Sequence, residues 1–280
     1  MSLKLPQFSA GSVLWEKFIN LQSETLFVPK PAGCVRVVTF NAHFGKDPSA
    51  IAWLFKHNAN LNQADVILLQ EVEEIRGEKV SRVTKLARAL KCEYIYEPAR
   101  ELRLRSGTHG IAILSRLPVR PLATIPLRYF ELPLRHRPRI ALKAEVTAGG
   151  GKVVIYNVHL DATLNHRERL AQLADVLDDA QQHDKEPVVV GGDFNTVPLL
   201  LLGRAVPVFY SNQKKKLYAY LKRRGFETRC QAAGHTLRSG IVRFQLDGIY
   251  TKRAPVIQCA VERSMRVSDH YPLWADVKIN

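Results

Sequence analysis

The sequence predicts an α/β fold in which one β-sheet packs on another with helices outside. Short Val- and Ile-rich runs recur along the chain, and amphipathic helical stretches lie between some of them. One region also loses the helical period and reads as a hairpin.

In chain order, residues 13–24 read as a short helix, and Pro29 to Gly33 as an extended lead-in. The strand runs are 35–40 ending at Asn41, 66–69 ending at Gln70 and Glu71, and 111–114 preceded by His109. Two more are 153–158 ending at His159 and 188–190 leading into Gly191-Gly192-Asp193-Phe194-Asn195. Each is too short for a helix and apolar enough for a buried central strand. Helices are expected over 80–90 and 167–181; in the second, Leu170, Leu173, Ala174 and Leu177 share one face. From Pro118 to Asn157 the period is strand-like, and residues 142–146 and 152–157 pair across the turn at Gly149-Gly150-Gly151. That glycine triplet opens no helix and lacks phosphate-loop spacing. A further helix is expected over 213–224.

Polar residues close these runs, where strand ends open onto a crevice. Asn41, Glu71, His159, Asp193 and Asn195 stand there, joined later by Asp247 and by Asp269-His270. Charges at the ends of buried strands are costly unless something outside uses them. Singly, each has a plain structural reading: Glu71 a surface carboxylate, Asp193 a turn residue, His159 a core imidazole. As a set they supply acidic and amide oxygens with two histidines and no cysteine ligands, which suits Mg²⁺ or Mn²⁺ rather than zinc. A histidine partnered by a carboxylate suits acid–base work near neutral pH. The combination points to metal-assisted hydrolysis of a phosphate ester.

The ordered segments Thr39-Phe40-Asn41, Leu69-Gln70-Glu71-Val72, His109-Gly110-Ile111-Ala112-Ile113-Leu114-Ser115, Asn157-Val158-His159-Leu160, Gly192-Asp193-Phe194-Asn195, Leu246-Asp247-Gly248-Ile249-Tyr250 and Ser268-Asp269-His270 resemble the endonuclease/exonuclease/phosphatase superfamily. The resemblance runs from about Val35 to the C-terminus, leaving residues 1–34 as an arm that packs on the domain formed by residues 35–280. It implies a four-layered α/β sandwich, two packed mixed sheets flanked by helices. It also implies roles. Glu71 would be the main metal ligand, with Asn41 beside it and Asp269 helping to bind or orient a metal. Asp193 would orient and deprotonate the attacking water, and Asn195 would hold phosphate oxygens. His270, positioned by Asp247, would contact the scissile phosphate, and His159 would stabilise the pentacovalent charge. His43 and His159 stand where apurinic-site endonucleases of the superfamily carry Asp and Tyr, which points to the histidine-containing branch.

Composition bounds the partners. Hydrophobic residues at 46% and charged residues at 24% exclude a disordered or fibrous chain. No apolar stretch reaches the roughly 18 residues that cross a bilayer. Lys and Arg outnumber Asp and Glu by 41 to 26, a net charge of +15 that attracts polyanions. Residues 100–143 concentrate arginine (Arg100, Arg103, Arg105, Arg116, Arg120, Arg128, Arg135, Arg137, Arg139) with Tyr96, Tyr129 and Phe130 nearby, as a backbone-tracking groove requires. Charged hairpin edges would look the same. Arg139 is the one expected at phosphate, with His109, His43 and Tyr96 as further substrate contacts; His109 either pairs with His159, gates the substrate or is a strand-end histidine. The expected function is a divalent-metal phosphodiesterase acting on nucleic acid, DNA ahead of RNA, as a monomer. A phosphodiesterase or phosphatase of lipid headgroups, touching an anionic membrane peripherally, is the alternative. A polyanion binder without catalysis is a third reading, against which the complete acid, amide and histidine set argues. Four scattered cysteines and no signal segment favour the cytoplasm, with export open if a leader is removed.

Overall fold

The computed structural model describes residues 26–102, 104, 106–131, 138–149, 151–196, 199–202, 206–209 and 212–279. The helix expected over 13–24 and the arginines Arg103, Arg105, Arg135 and Arg137 lie outside them.

The first strand, β1 (Cys34–Phe44), alternates by two residues. Val35 and Val37 face one core, and Val38 and Phe40 face another. It pairs in parallel with β2 (Val66–Ile75), and β2 pairs antiparallel with β4 (Gly107–Ser115), which carries β3 (Glu93–Glu101) on its outer edge. On the other side of β1 stand β15 (Leu273–Lys278) and then β14 (Val256–Val261), completing six strands. The second sheet has the order β13 (Asp247–Lys252), β8 (Val188–Asp193), β7 (Gly151–His159), β6 (Ile140–Ala148), β5 (Val119–Pro126). Within it β7 and β8 are parallel and the other pairs antiparallel. Two small hairpins, β9 (Leu199–Leu202) with β10 (Val206–Phe209) and β11 (Leu237–Ser239) with β12 (Val242–Phe244), stand outside both sheets.

Three apolar clusters make four layers. Between the sheets, Val37, Leu68 and Ile113 meet Leu142, Ile155 and Val189. The six-stranded sheet is covered by α1 (Pro48–His57) and α2 (Arg82–Leu90) through Leu54, Phe55, Val83 and Leu86. The five-stranded sheet is covered by α3 (His166–Ala180) and α4 (Gln213–Arg223) through Leu173, Val176, Leu177, Leu217 and Leu221. This is the expected sandwich.

Several expectations change in detail. The runs expected to stop at Asn41 and Glu71 continue to Phe44 and Ile75, because the β1–β2 and β2–β4 ladders resume after register shifts at 41/44 and 69/72. Glu71 sits in that bulge with φ 54°, so it is an interior kink and not a strand end. The buried face of α3 runs through Arg169, Gln172, Leu173, Val176 and Leu177, leaving Leu170 and Ala174 only half-buried. Cys230 and Cys259, expected among the scattered thiols, are joined by a disulfide, while Cys34 and Cys92 remain free. No helix among the described residues is long and apolar enough to cross a membrane.

Candidate active site

Both parallel pairs deliver their C-terminal ends to the same edge of the sandwich, and a buried polar bridge fixes them to each other there. Gln70 Nε2 donates to Asn157 Oδ1 at 2.7 Å, and Asn157 Nδ2 donates to the carbonyls of Leu69 and Ala112 at 2.9 Å each. Both side chains are fully buried, and satisfied buried amides fix one register where an apolar contact would tolerate slip. Each immediately precedes or lies two residues before a site residue, Glu71 or His159, which is the signal that marks them in the sequence.

Above that bridge the functional side chains converge on Asp193. Its Oδ2 accepts from Asn41 Nδ2 at 3.0 Å and lies 3.8 Å from His159 Nε2 and 3.9 Å from His270 Nε2. Its Oδ1 accepts the backbone N–H of Asn195 at 2.9 Å. His159 and Asp193 are direct neighbours in the β7–β8 register, as Asp193 and Asp247 are across β8–β13. Glu71 reaches His159 Nε2 at 3.7 Å. Asp247 Oδ2 holds His270 Nδ1 at 2.8 Å. Asn195, with φ 49°, donates from Nδ2 to the Leu160 carbonyl at 2.8 Å.

Asp269 joins from the side. Ser268 Oγ donates to the Asn41 carbonyl at 2.8 Å and accepts the His270 N–H at 3.1 Å, and His43 Nδ1 stands 3.3 Å from Asp269 Oδ1. Arg139 Nη1 lies 2.9 Å from His159 Nδ1. His109 is buried as the third residue of β4, paired with Glu73 on one side and Arg100 on the other. Tyr96 stands apart: its hydroxyl meets Thr108 Oγ1 at 2.9 Å and its ring packs on the helix-side core. Neither Ser268 nor Thr236 carries a signal in the sequence that would mark it for a role at the site.

The electrostatics separate the three central titrating groups. Burial, reinforced by the Asp247 charge, pushes the Asp193 carboxyl up to about 6 against the opposing pull of His270, Asn41 and Asn195. Burial pulls the His270 imidazole down, but Asp247, Asp193 and Asp269 together outweigh it and hold it up to about 10. His159 is driven well below the usual histidine range by burial, then by Arg139, His109 and His270. Near neutral pH the site therefore holds a cationic His270, a neutral His159 and a carboxylate at Asp193 within easy reach of a proton.

Two donor sets suit a divalent cation. Asn41 Oδ1 already accepts the His43 N–H at 3.1 Å, whereas among the described residues the Glu71 carboxylate accepts no hydrogen bond and the bulge re-aims it toward His159. Hard, uncommitted oxygens of this kind suit Mg²⁺ or Mn²⁺. Asp193, Asp247 and His270, expected from the sequence in catalytic roles, also offer ligand atoms within 4.8 Å of one another.

The model of the endonuclease/exonuclease/phosphatase family matches residues 38–270. The chain belongs to that family. Family members are phosphoesterase hydrolases that typically use a divalent metal, and the chain is a hydrolase of that superfamily. No curated protein matches the sequence. Among solved structures, a humanised TDP2 of D. rerio is 18% identical with TM-score 0.62, covering 88% of this chain and 99% of that one. D. rerio TDP2 complexed with single-strand DNA product is 18% identical with TM-score 0.59, covering 87% and 98%. The human Nocturnin catalytic domain with bound sulfate is 19% identical with TM-score 0.57, covering 90% and 96%. At these identities the likeness shows the shared fold.

Proposed function

We propose that this family member is a divalent-metal-dependent phosphodiesterase acting on nucleic acid, DNA ahead of RNA. The observation that carries the reading is the convergence of Asn41, His159 and His270 on one buried oxygen of Asp193, at 3.0, 3.8 and 3.9 Å. A carboxylate held between an amide and two imidazoles is placed to take a proton from a water and to aim it at phosphorus. The relative with single-strand DNA product and the net charge of +15 support nucleic acid as the substrate.

Glu71, Asn41 and Asp269 would hold Mg²⁺ or Mn²⁺, which when bound neutralises phosphate oxygens and stabilises the leaving oxygen. Asp193 orients the attacking water and accepts its proton. Asn41 and the Asn195 N–H keep the carboxylate turned toward that water. Neutral His159 donates a hydrogen bond to an equatorial oxygen, and the adjacent Arg139 supplies the positive charge that His159 lacks. Cationic His270, aligned by Asp247, contacts the scissile phosphate.

Two exposed aliphatic tips favour a second reading. Leu104 and Ile241 are 98% and 97% exposed, and each lies near arginine in the sequence, a pattern also suited to an anionic lipid surface. Conversion of supercoiled plasmid to nicked circle decides between them. The expected result is nicking with Mg²⁺ that stops with chelator and falls about 10²-fold or more in Asp193→Asn and His270→Ala. Intact plasmid under Mg²⁺ and Mn²⁺, with release of headgroups from anionic phospholipid vesicles, would replace the first reading with the second.

A further inference from the structure

Asp247 and His270 are positioned differently from the rest of the site. Asp247 opens β13 and His270 lies just before β15, so neither parallel pair fixes both. Both are tied instead to residues 236–238. Thr236 is fully buried. Its hydroxyl oxygen accepts the backbone N–H of Leu246 at 3.0 Å and of Asp247 at 3.1 Å. Its carbonyl accepts the N–H of Tyr271 at 2.6 Å, and its own N–H donates to the Phe244 carbonyl at 2.8 Å. The next residue, Leu237, forms an isolated bridge with His270, and the Arg238 N–H donates to the Asp269 carbonyl at 2.9 Å. One residue thus grips the backbone on both sides of the Asp247–His270 hydrogen bond.

The Asp247 carboxylate has little else to hold it. Its Oδ2 meets His270, while its buried Oδ1 has no hydrogen-bond partner among the described residues. Its direction therefore follows the backbone at the start of β13, which is where the Thr236 hydroxyl acts. Valine has nearly the same shape as threonine but no oxygen, so it would leave two buried N–H donors unpaired.

We propose that Thr236 is a positioning residue for the Asp247–His270 pair, its hydroxyl and carbonyl together setting the register in which carboxylate meets imidazole. Its effect on turnover rests on the hydrolase reading above; its effect on the pair rests on the geometry alone.

Three variants test it: Thr236→Ser, which keeps the oxygen, and Thr236→Val and Thr236→Ala, which lose it. Initial rates are measured on supercoiled plasmid and on bis(4-nitrophenyl) phosphate with Mg²⁺, alongside thermal unfolding. Thr236→Ser retains most of kcat, whereas Thr236→Val lowers kcat about 10²-fold with a much smaller change in KM. In a His270→Ala background Thr236→Val adds little, since both act on one unit. If Thr236→Val does not fold, Thr236→Ala carries the same comparison. A readout that needs no substrate is ¹⁵N NMR of the histidine rings. The His270 Nδ1–H signal of an imidazole bonded to a carboxylate persists in Thr236→Ser and is lost in a folded oxygen-free variant. A folded Thr236→Val or Thr236→Ala that keeps both this signal and wild-type kcat overturns the proposal. Absence of turnover by the wild type, with the NMR difference intact, overturns the hydrolase reading and leaves the positioning role standing.

Discussion

Asp193 depends on the glycine before it. A β-carbon on Gly192 would lie 1.9 Å from the Val158 carbonyl oxygen and 2.8 Å from the Val158 nitrogen, and its φ of 152° is one that L side chains rarely adopt. That close approach of β8 to β7 puts Asp193 beside His159 in register. At Gly191 the first obstacle is only the Leu68 side-chain methyl, at 2.6 Å, which can turn aside. Gly192→Ala is therefore expected to lose about 3 kcal/mol in urea unfolding and Gly191→Ala clearly less. Equal losses would mean that the backbone contact is not what requires glycine at position 192. Strain of a related kind gathers at this edge, where His43, Glu71 and Asn195 all have positive φ, as functional sites often do.

At the scale of elements, α3 shows what fastens a helix to the five-stranded sheet. Asp179 on α3 receives Lys143 Nζ from β6 at 2.7 Å and the Tyr156 hydroxyl from β7 at 2.6 Å. Burial would raise the Asp179 carboxyl, but Lys143 and Tyr156 outweigh it and hold it below the usual aspartate range. A carboxyl depressed in the folded state stabilises above its unfolded value and loses that stabilisation as pH falls through the folded one. Asp179→Asn is thus expected to cost about 1–2 kcal/mol at neutral pH. The gap to wild type should narrow as the pH falls through the depressed titration of Asp179, and a gap that stays constant would assign the loss to packing. The same helix shows where the sequence was hard to read. Its apolar period was visible, but Arg169 and Gln172 lie on the buried face because they serve the loop after His159. Arg169 Nη1 donates to the Leu164 carbonyl at 2.7 Å, and Gln172 Oε1 accepts the Asp161 N–H at 3.0 Å. The central strands were legible since both faces are apolar. The bulge at Glu71 was not, because the apolar run stops at Leu69 while the strand goes on through polar residues paired to β4. Edge strands β3 and β5 mix exposed polar positions with apolar ones, and so carry neither signal. The site was legible as an ordered set of polar residues, but their convergence on one oxygen of Asp193 needed the two sheets to be closed on each other.

For the whole molecule the question is where the +15 charge acts. Much of the basic surface is neutralised locally: Lys30 by Asp65, Arg82 by Glu78, Arg224 by Asp178, Lys252 by Asp184. Near His270, Arg238, Arg243, Arg263 and Arg266 form no ion pair among the described residues. Arg263 donates to the Ala233 and His235 carbonyls, and Arg266 to those of Ser268 and Arg238. Carbonyls hold an arginine without cancelling its charge. Arg238 and Arg243 stand exposed on the β11–β12 hairpin, which pairs with His270 through Leu237. Their positive field, with that of Arg263, already lowers the neighbouring His235 after burial does. A polyanion bound across His270 would release counterions from each phosphate these side chains neutralise. Binding of a DNA oligonucleotide by the full chain in Ca²⁺, followed by anisotropy over a salt series, measures that release. For duplex DNA the slope of log K against log salt is expected to become shallower by about 0.9 for each phosphate contact removed. Arg238→Ala with Arg243→Ala should therefore flatten it by about 1.8 if each arginine meets one phosphate, and by about 1.4 on a single strand. Because Asp193 and its partners are untouched, hydrolysis of bis(4-nitrophenyl) phosphate should keep its wild-type rate. An unchanged slope would move the polyanion path away from the hairpin, toward Arg139, whose Nη1 lies 2.9 Å from His159 Nδ1, and Arg100, whose field already reaches that imidazole.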